Sequence, residues 1–136
     1  EFLYIINFAP DRWPMGNPYN LTNKKTPDYN VLENNTFITF GDLDASPTKA
    51  WIIEHRKDDK WKWYYDYAFA KRPREELYHL ESDPDQIKNL AKEKKYLSIK
   101  KKLNRQLMNR LKRLRDPRVL GDGTTFDKPP YVVDLN

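Results

Sequence analysis

The first hydrophobic block of the chain has the pattern of a strand. Phe2 to Phe8 (FLYIINF) is dense in aromatic and β-branched residues, which predicts a buried β-strand. APDRWPMGNP follows, with three prolines and a glycine. Proline fixes φ and lacks an N–H donor, so this stretch predicts a structured loop. Residues 17–36 have no period and read as loop, and TFITFGDLD as a short extended piece. Ser46-Pro47-Thr48-Lys49 is a helix start, with serine as the cap and proline at the first helical position. It predicts a helix at about 47–56, with Ala50 and Ile53 on one face and Trp51 and His55 nearby. Trp61, Tyr64, Tyr65, Ala68 and Phe69 recur at threes and fours, predicting a second short helix capped by Asp59 and ended before Pro73.

Glu76 to Leu80 alternates weakly, Leu77 and His79 on one side and Tyr78 and Leu80 on the other. A proline turn precedes it, so the segment reads as a strand. Asp83-Pro84 predicts another helix start, with Ile87, Leu90 and Ala91 pointing inward. Tyr96, Ile99, Leu103, Leu107, Leu111 and Leu114 then form one apolar stripe, the mark of a long amphipathic helix stopped by Asp116-Pro117. Residues 116–136 read as an irregular tail. The expected fold is α+β, a small antiparallel sheet packed against a long C-terminal amphipathic helix, with additional short helices. A few antiparallel strands are expected, and pairing Phe2–Phe8 with Glu76–Leu80 as neighbours would require a long connection, which the intervening helices supply. The length of 136 residues is that of a single domain.

Composition changes this picture in three ways. With 33% charged residues the core must come from few positions, and the aromatics, 14% of the chain, supply much of it. The absence of cysteine removes disulfides, thiolate nucleophiles and cysteine-type zinc sites. The net charge of +5 is concentrated between Lys92 and Arg115, where Glu93 is the only acid. Such a run is most often a solvated helix face, and its sharper reading is an anionic partner. No nucleic-acid motif accompanies it, so no nucleic acid is expected, and no apolar run is long enough to span a membrane. EFLYIINF begins without a lead-in, which leads us to expect that a larger protein continues upstream.

Several constellations carry candidate chemistry. Ser46-Pro47-Thr48-Lys49 fits S-x-x-K, the nucleophile motif of serine β-lactamases, but its companion motifs are absent and helix capping explains the serine. Asp42 and Asp44 flank Leu43, and in an extended segment both would share one face, where they could hold a hard cation or do acid–base work. Favourable charge near a helix N-terminus is their simpler explanation. His55 and His79 are the only histidines and lack metal-like spacing. Asp11-Arg12-Trp13 sits in a stiff loop. The arginine offers a planar fork for carboxylate, sulfate or phosphate, and the tryptophan a stacking surface for a sugar ring. An internal Arg12 ion pair is the competing explanation.

KRPREELYHLESDPDQIKNLA, followed by a long helix and DPRV, resembles the C-terminal subdomain of the sulfatase family, whose usual shape is R-P-x-E-E-L-Y-D-L, a D-P turn and N-L-A. FLYIINFAPDRWPMGNPY, DLDASPTKAWIIEHR and DPRVLGDGTTFDKPPY are similar to its heparan N-sulfatase-like branch, so the resemblance covers almost the whole chain. His79 stands where Asp is usual, Ile6 where Arg is frequent, and Ala70 where Gly is common. The resemblance implies an alkaline-phosphatase-like parent, in which a large N-terminal domain holds the chemistry and a smaller one packs a four-stranded antiparallel sheet on a long helix. Family catalysis uses a formylglycine made in a C/S-x-P-S-R motif beside calcium. This chain has no such motif, so no catalytic residue, metal ligand or cofactor is carried over to it. The resemblance further implies an N-terminal catalytic domain as partner, a sulfated glycan as substrate of the complete enzyme, and a secreted, periplasmic or lysosomal setting. An apolar face left for the partner could also support self-association. The residues expected to face the cleft are Asp11, Arg12, Trp13, Asp42, Asp44 and His55. The alternative is a stand-alone basic module that binds anionic polymers.

Overall fold

A computed structural model describes residues 1–127. In chain order the elements are β1 (Phe2–Ile6), α1 (Tyr29–Asn34), α2 (Pro47–Glu54), α3 (Lys62–Ala68), β2 (Glu75–His79), α4 (Leu97–Arg113) and α5 (Pro117–Leu120). Three 3-10 turns, Thr36–Ile38, Lys94–Tyr96 and Thr124–Asp127, complete them. The α+β class expected from the sequence is the class observed. Contacts divide the chain into two compact units. One joins Glu1–Phe8 to the described residues from Arg74 on, and the other is Ala9–Pro73.

The first unit is built on the two strands. They pair antiparallel, from Phe2 opposite His79 to Ile6 opposite Glu75. Facing residues in such a ladder share a side, so Phe2, Tyr4, Leu77 and His79 form one face. Leu77 is fully buried there with Leu90 and Ala91, and Phe2, Tyr4, Tyr96 and Leu103 pack around them. Phe2 meets His79 edge-on at 4.6 Å between ring centres. A polar chain crosses the same face. Asn104 of α4 donates to the Tyr4 hydroxyl (2.8 Å), which donates to Glu75 (2.7 Å), and Lys100 pairs with the other Glu75 oxygen at 2.8 Å. Hydrogen bonds from Lys100 and Tyr4 hold the Glu75 carboxyl below the ordinary glutamate range, while burial pushes the Tyr4 phenol up. The α4 stripe is half-buried from Ile99 through Leu103 and Leu107 to Leu111, but Leu114 is exposed.

No helix forms after Asp83-Pro84, contrary to the sequence expectation. The Asp83 carboxylate accepts from the Ile87 and Lys88 amides, both at 2.9 Å, which closes a turn instead of capping a helix. Gln86 takes φ +56, a left-handed conformation that interrupts a helix. Ile87 points outward, and only Leu90 and Ala91 are buried. Asn89 ties this strap to the free edge of β2. Its side-chain oxygen accepts from Leu77 and Ala91 (3.0 and 2.9 Å), its amide donates to the Glu75 carbonyl (3.2 Å), and the Leu90 N–H donates to the Leu77 carbonyl (2.8 Å). Among the described residues the sheet has two strands, where the family resemblance implies four. Asp116 does end α4, yet it also caps α5 by accepting from the Arg118 amide. Ordered turns therefore replace the expected irregular tail as far as Asp127, and the rest of that expectation lies outside the described residues.

The second unit centres on Phe40. Leu21, Leu32, Ala50, Ile53 and Phe69 join it in a buried core, with Trp13, Met15 and Tyr65 packed against them. Phe40 stacks on Phe69 at 4.5 Å and meets Trp13 edge-on at 5.8 Å. α1 forms where loop was expected, capped by Asp28 and with Leu32 buried. The TFITF stretch turns as 3-10 helix instead of extending. α2 forms as read from the sequence, and the Ser46 side chain accepts from the Lys49 amide. α3 also forms, but its first flanking residue is Trp61 and no side chain caps it, so Asp59 does not have the expected role.

Candidate functional site

The S-x-x-K pair is architectural. Lys49 is almost fully buried, and its ammonium donates to the carbonyls of Thr36 (3.1 Å), Phe40 (3.0 Å) and Leu43 (2.6 Å). Those bonds use its three donors and fold the 36–43 turn around the ammonium. Burial pushes the Lys49 pKa down, opposed by the nearby Asp44 carboxylate. Phe40 sits in this turn at φ +50, a strained conformation for a bulky residue, which the lysine and the aromatic core hold in place.

The proposed cleft residues fall in two places. Asp11 and Arg12 are exposed on the loop, and the Arg12 amide donates to the Ala9 carbonyl at 3.1 Å. Trp13 turns inward onto Phe40, and the Lys71 ammonium lies 5.3 Å from its ring centre. Met15 brings this loop to Asp42, whose amide donates to the Met15 carbonyl at 3.3 Å. The approach is close at Gly16, with φ +83, where a Cβ would meet the Gly41 nitrogen at 3.2 Å and an Asp42 carboxylate oxygen at 3.3 Å. Thus the Trp13 and Asp42 segments come together. Asp42 and Asp44 are exposed, and among the described residues no three His, Asp or Glu side chains converge as a metal site would need. His55 lies at the opposite end of α2, about 12 Å along a helix of 8 residues. There it stacks on Trp51 at 4.3 Å, and its Nδ1 is 2.9 Å from the Trp51 carbonyl. Its role in the fold is aromatic packing. His79 has a local partner too, with Nδ1 2.8 Å from the Ser82 hydroxyl in the turn after β2.

The second unit contains a cavity of about 520 Å³ that the sequence reading missed, apart from Trp13. Trp13 and Tyr65 give it aromatic walls, Thr22 and Asn23 give it polar edges, and Arg56 and Lys57 bring charge from just beyond α2. Arg56 is only 8% exposed. Its guanidinium donates to the Ile53 and Thr22 carbonyls at 2.9 and 3.0 Å. The Lys57 ammonium donates to the Asn23 carbonyl. These acceptors orient both cations without neutralising them. Lys62, also on the wall, is paired with Asp66. Burial raises the Tyr65 pKa, and the Arg56 charge works against that rise. The sequence signal was EHRK at the end of a capped helix, where cations complement the carbonyl end of the dipole. The arrangement can bind an anion beside an aromatic surface.

No family model, curated protein or solved structure matches the chain.

Proposed function

We propose that this chain is the C-terminal portion of a sulfatase that hydrolyses sulfate esters or N-sulfate groups, on glycans, and that it completes the fold and borders the substrate cleft of that enzyme. The observation that carries this reading is the L-Y-x-L-x-x-D-P-x-x-x-x-N-L-A run. Its residues coincide with β2, the Asp83 turn and the Asn89 strap, ahead of the long helix packed across the sheet. The antiparallel pair against a long helix supports the same reading. So does exposed apolar surface that a partner would cover: Phe37 is 79% and Tyr19 60% exposed. The N-terminal catalytic domain is that partner, and in its absence the face would favour self-association.

In this reading the formylglycine and the calcium belong to the catalytic domain. Among the described residues no three His, Asp or Glu side chains converge, and this reading assigns no calcium ligand to them. The chain alone is therefore expected to leave an aryl sulfate intact when calcium is supplied, and turnover would contradict its non-catalytic role. The reading frame upstream provides the direct test. A C/S-x-P-S-R motif with paired aspartates is expected there, and an open frame encoding an unrelated domain would sink the sulfatase reading.

A second reading rests on α4, whose exposed Lys101, Lys102, Arg105 and Arg113 make a basic face for an anionic polymer. Lys100 does not belong to that face, since its ammonium is committed to Glu75. Neutralising Lys101, Lys102 and Arg105 together would lower the salt needed for release from heparin if this face binds, and would leave it unchanged if the face is merely solvated.

A further inference from the structure

We propose that the cavity between the Trp13–Asn23 loop and the α2–α3 turn is a binding subsite for one acidic sugar unit, with its sulfate or carboxylate on Arg56 and Lys57. Three observations carry this. Arg56 is a buried cation on the cavity wall, held by carbonyls instead of a carboxylate. Such a charge retains its demand for an anion, since dipoles compensate it only in part. Lys57 is beside it and is likewise held by a carbonyl. An anion that reaches both would make charge-assisted hydrogen bonds, the stronger kind. The volume of 520 Å³ falls within the range of about 300–1,000 Å³ typical of small-molecule sites and suits a sugar ring with its substituent.

The walls describe the rest of the ligand. Trp13 and Tyr65 offer ring surface for the apolar side of a pyranose. Thr22, Asn23, Asp59 and Asp66 on the lining offer donors and acceptors for its hydroxyl groups. The choice of a sugar over another ring-shaped anion rests on the sulfatase reading above, whereas the anion site itself rests on the cavity alone. This subsite would hold a part of the substrate remote from the reacting bond, so it would set affinity and chain position without touching the chemistry.

The test is a titration of the whole chain, followed through the indole N–H signals in a ¹H–¹⁵N spectrum, with Trp13 assigned by Trp13→Phe. The probe is a sulfated uronate–glucosamine disaccharide. It should shift the Trp13 signal with a dissociation constant below about 1 mM, and inorganic sulfate should bind at least about tenfold more weakly. Lys57→Gln should weaken the disaccharide by about tenfold, with Lys57→Arg restoring it. Because Lys57 is exposed, neither change threatens folding. A Trp13 signal that stays still, or Lys57→Gln binding as tightly as the parent, overturns the site. Equal binding of a nucleoside monophosphate overturns the sugar assignment. Loss of binding on Lys112→Gln with Arg113→Gln, but not on Lys57→Gln, would move the site to α4. The upstream motif judges the sulfatase reading separately: binding without the motif leaves the cavity standing, and the motif without binding removes the cavity alone.

Discussion

At the scale of single residues, buried polar groups distinguish what holds this fold from what strains it. The Thr39 hydroxyl is fully buried without a hydrogen-bond partner among the described residues. Thr39→Val keeps the shape and removes that cost, so it should raise stability by about 1 kcal/mol in urea titration. Glu75 behaves oppositely. Its native carboxyl is held below the ordinary value by Lys100 and Tyr4. In acid the unfolded chain therefore binds the proton first, and stability falls as pH drops. The contribution is complete above about pH 4.5, the ordinary value, and is lost as pH falls through the lowered native one. Glu75→Gln should flatten the stability–pH curve in that acid range, as urea midpoints measured from pH 6 to 3 would record. An unchanged slope would mean that the pair is solvent-screened. The reading of Ser46 as a cap matches the structure because the cap signal is local. The destination of Lys49 was not legible, since its three carbonyl partners lie in a turn whose path depends on Phe40.

At the scale of elements, periodicity and caps marked the helices that a sequence can reveal. α2 has its serine and proline, and α4 has its stripe. α1 has neither a stripe nor a strong composition, so it read as loop. The false helix after Asp83 is more instructive. Asp-Pro is a good helix start, but Asp83 spends its oxygens on Ile87 and Lys88, and Asn89 binds the β2 edge. Local propensity gave way to a non-local demand, the need of β2 for partners on its second edge. Asn89→Ala should therefore leave the buried Leu77 N–H without its acceptor and cost about 2 kcal/mol, as measured by thermal or urea unfolding. A loss confined to a few tenths would make the strap decorative. The cavity was illegible for the same reason: Trp13 and Arg56 are far apart in sequence, and only the fold makes them neighbours.

At the scale of the whole molecule, Ala9–Pro73 leaves and re-enters the first unit at adjacent points. The Asn7 N–H donates to the Arg74 carbonyl at 2.9 Å, and Arg74 reaches the Phe8 carbonyl at 3.2 Å. The second unit is thus an insertion between two strands that could have been a hairpin. Replacing Ala9–Pro73 with a short Asn-Gly turn should keep the β1–β2 register and the α4 packing, which cross-strand amide contacts in NMR spectra would reveal. A chain left unfolded by the replacement would show that the two units are one cooperative structure.

The pairing of β1 with β2 also has a consequence in time. On the ribosome, β1 emerges before its partner, which follows only after all of Ala9–Pro73 has been made. At about 5–20 residues per second that is a wait of several seconds. During it, FLYII is an apolar strand with both edges open, the kind of segment that pairs with neighbouring chains. Slow translation would prolong that exposure, and a holdase that binds short apolar strands would shorten the list of wrong partners.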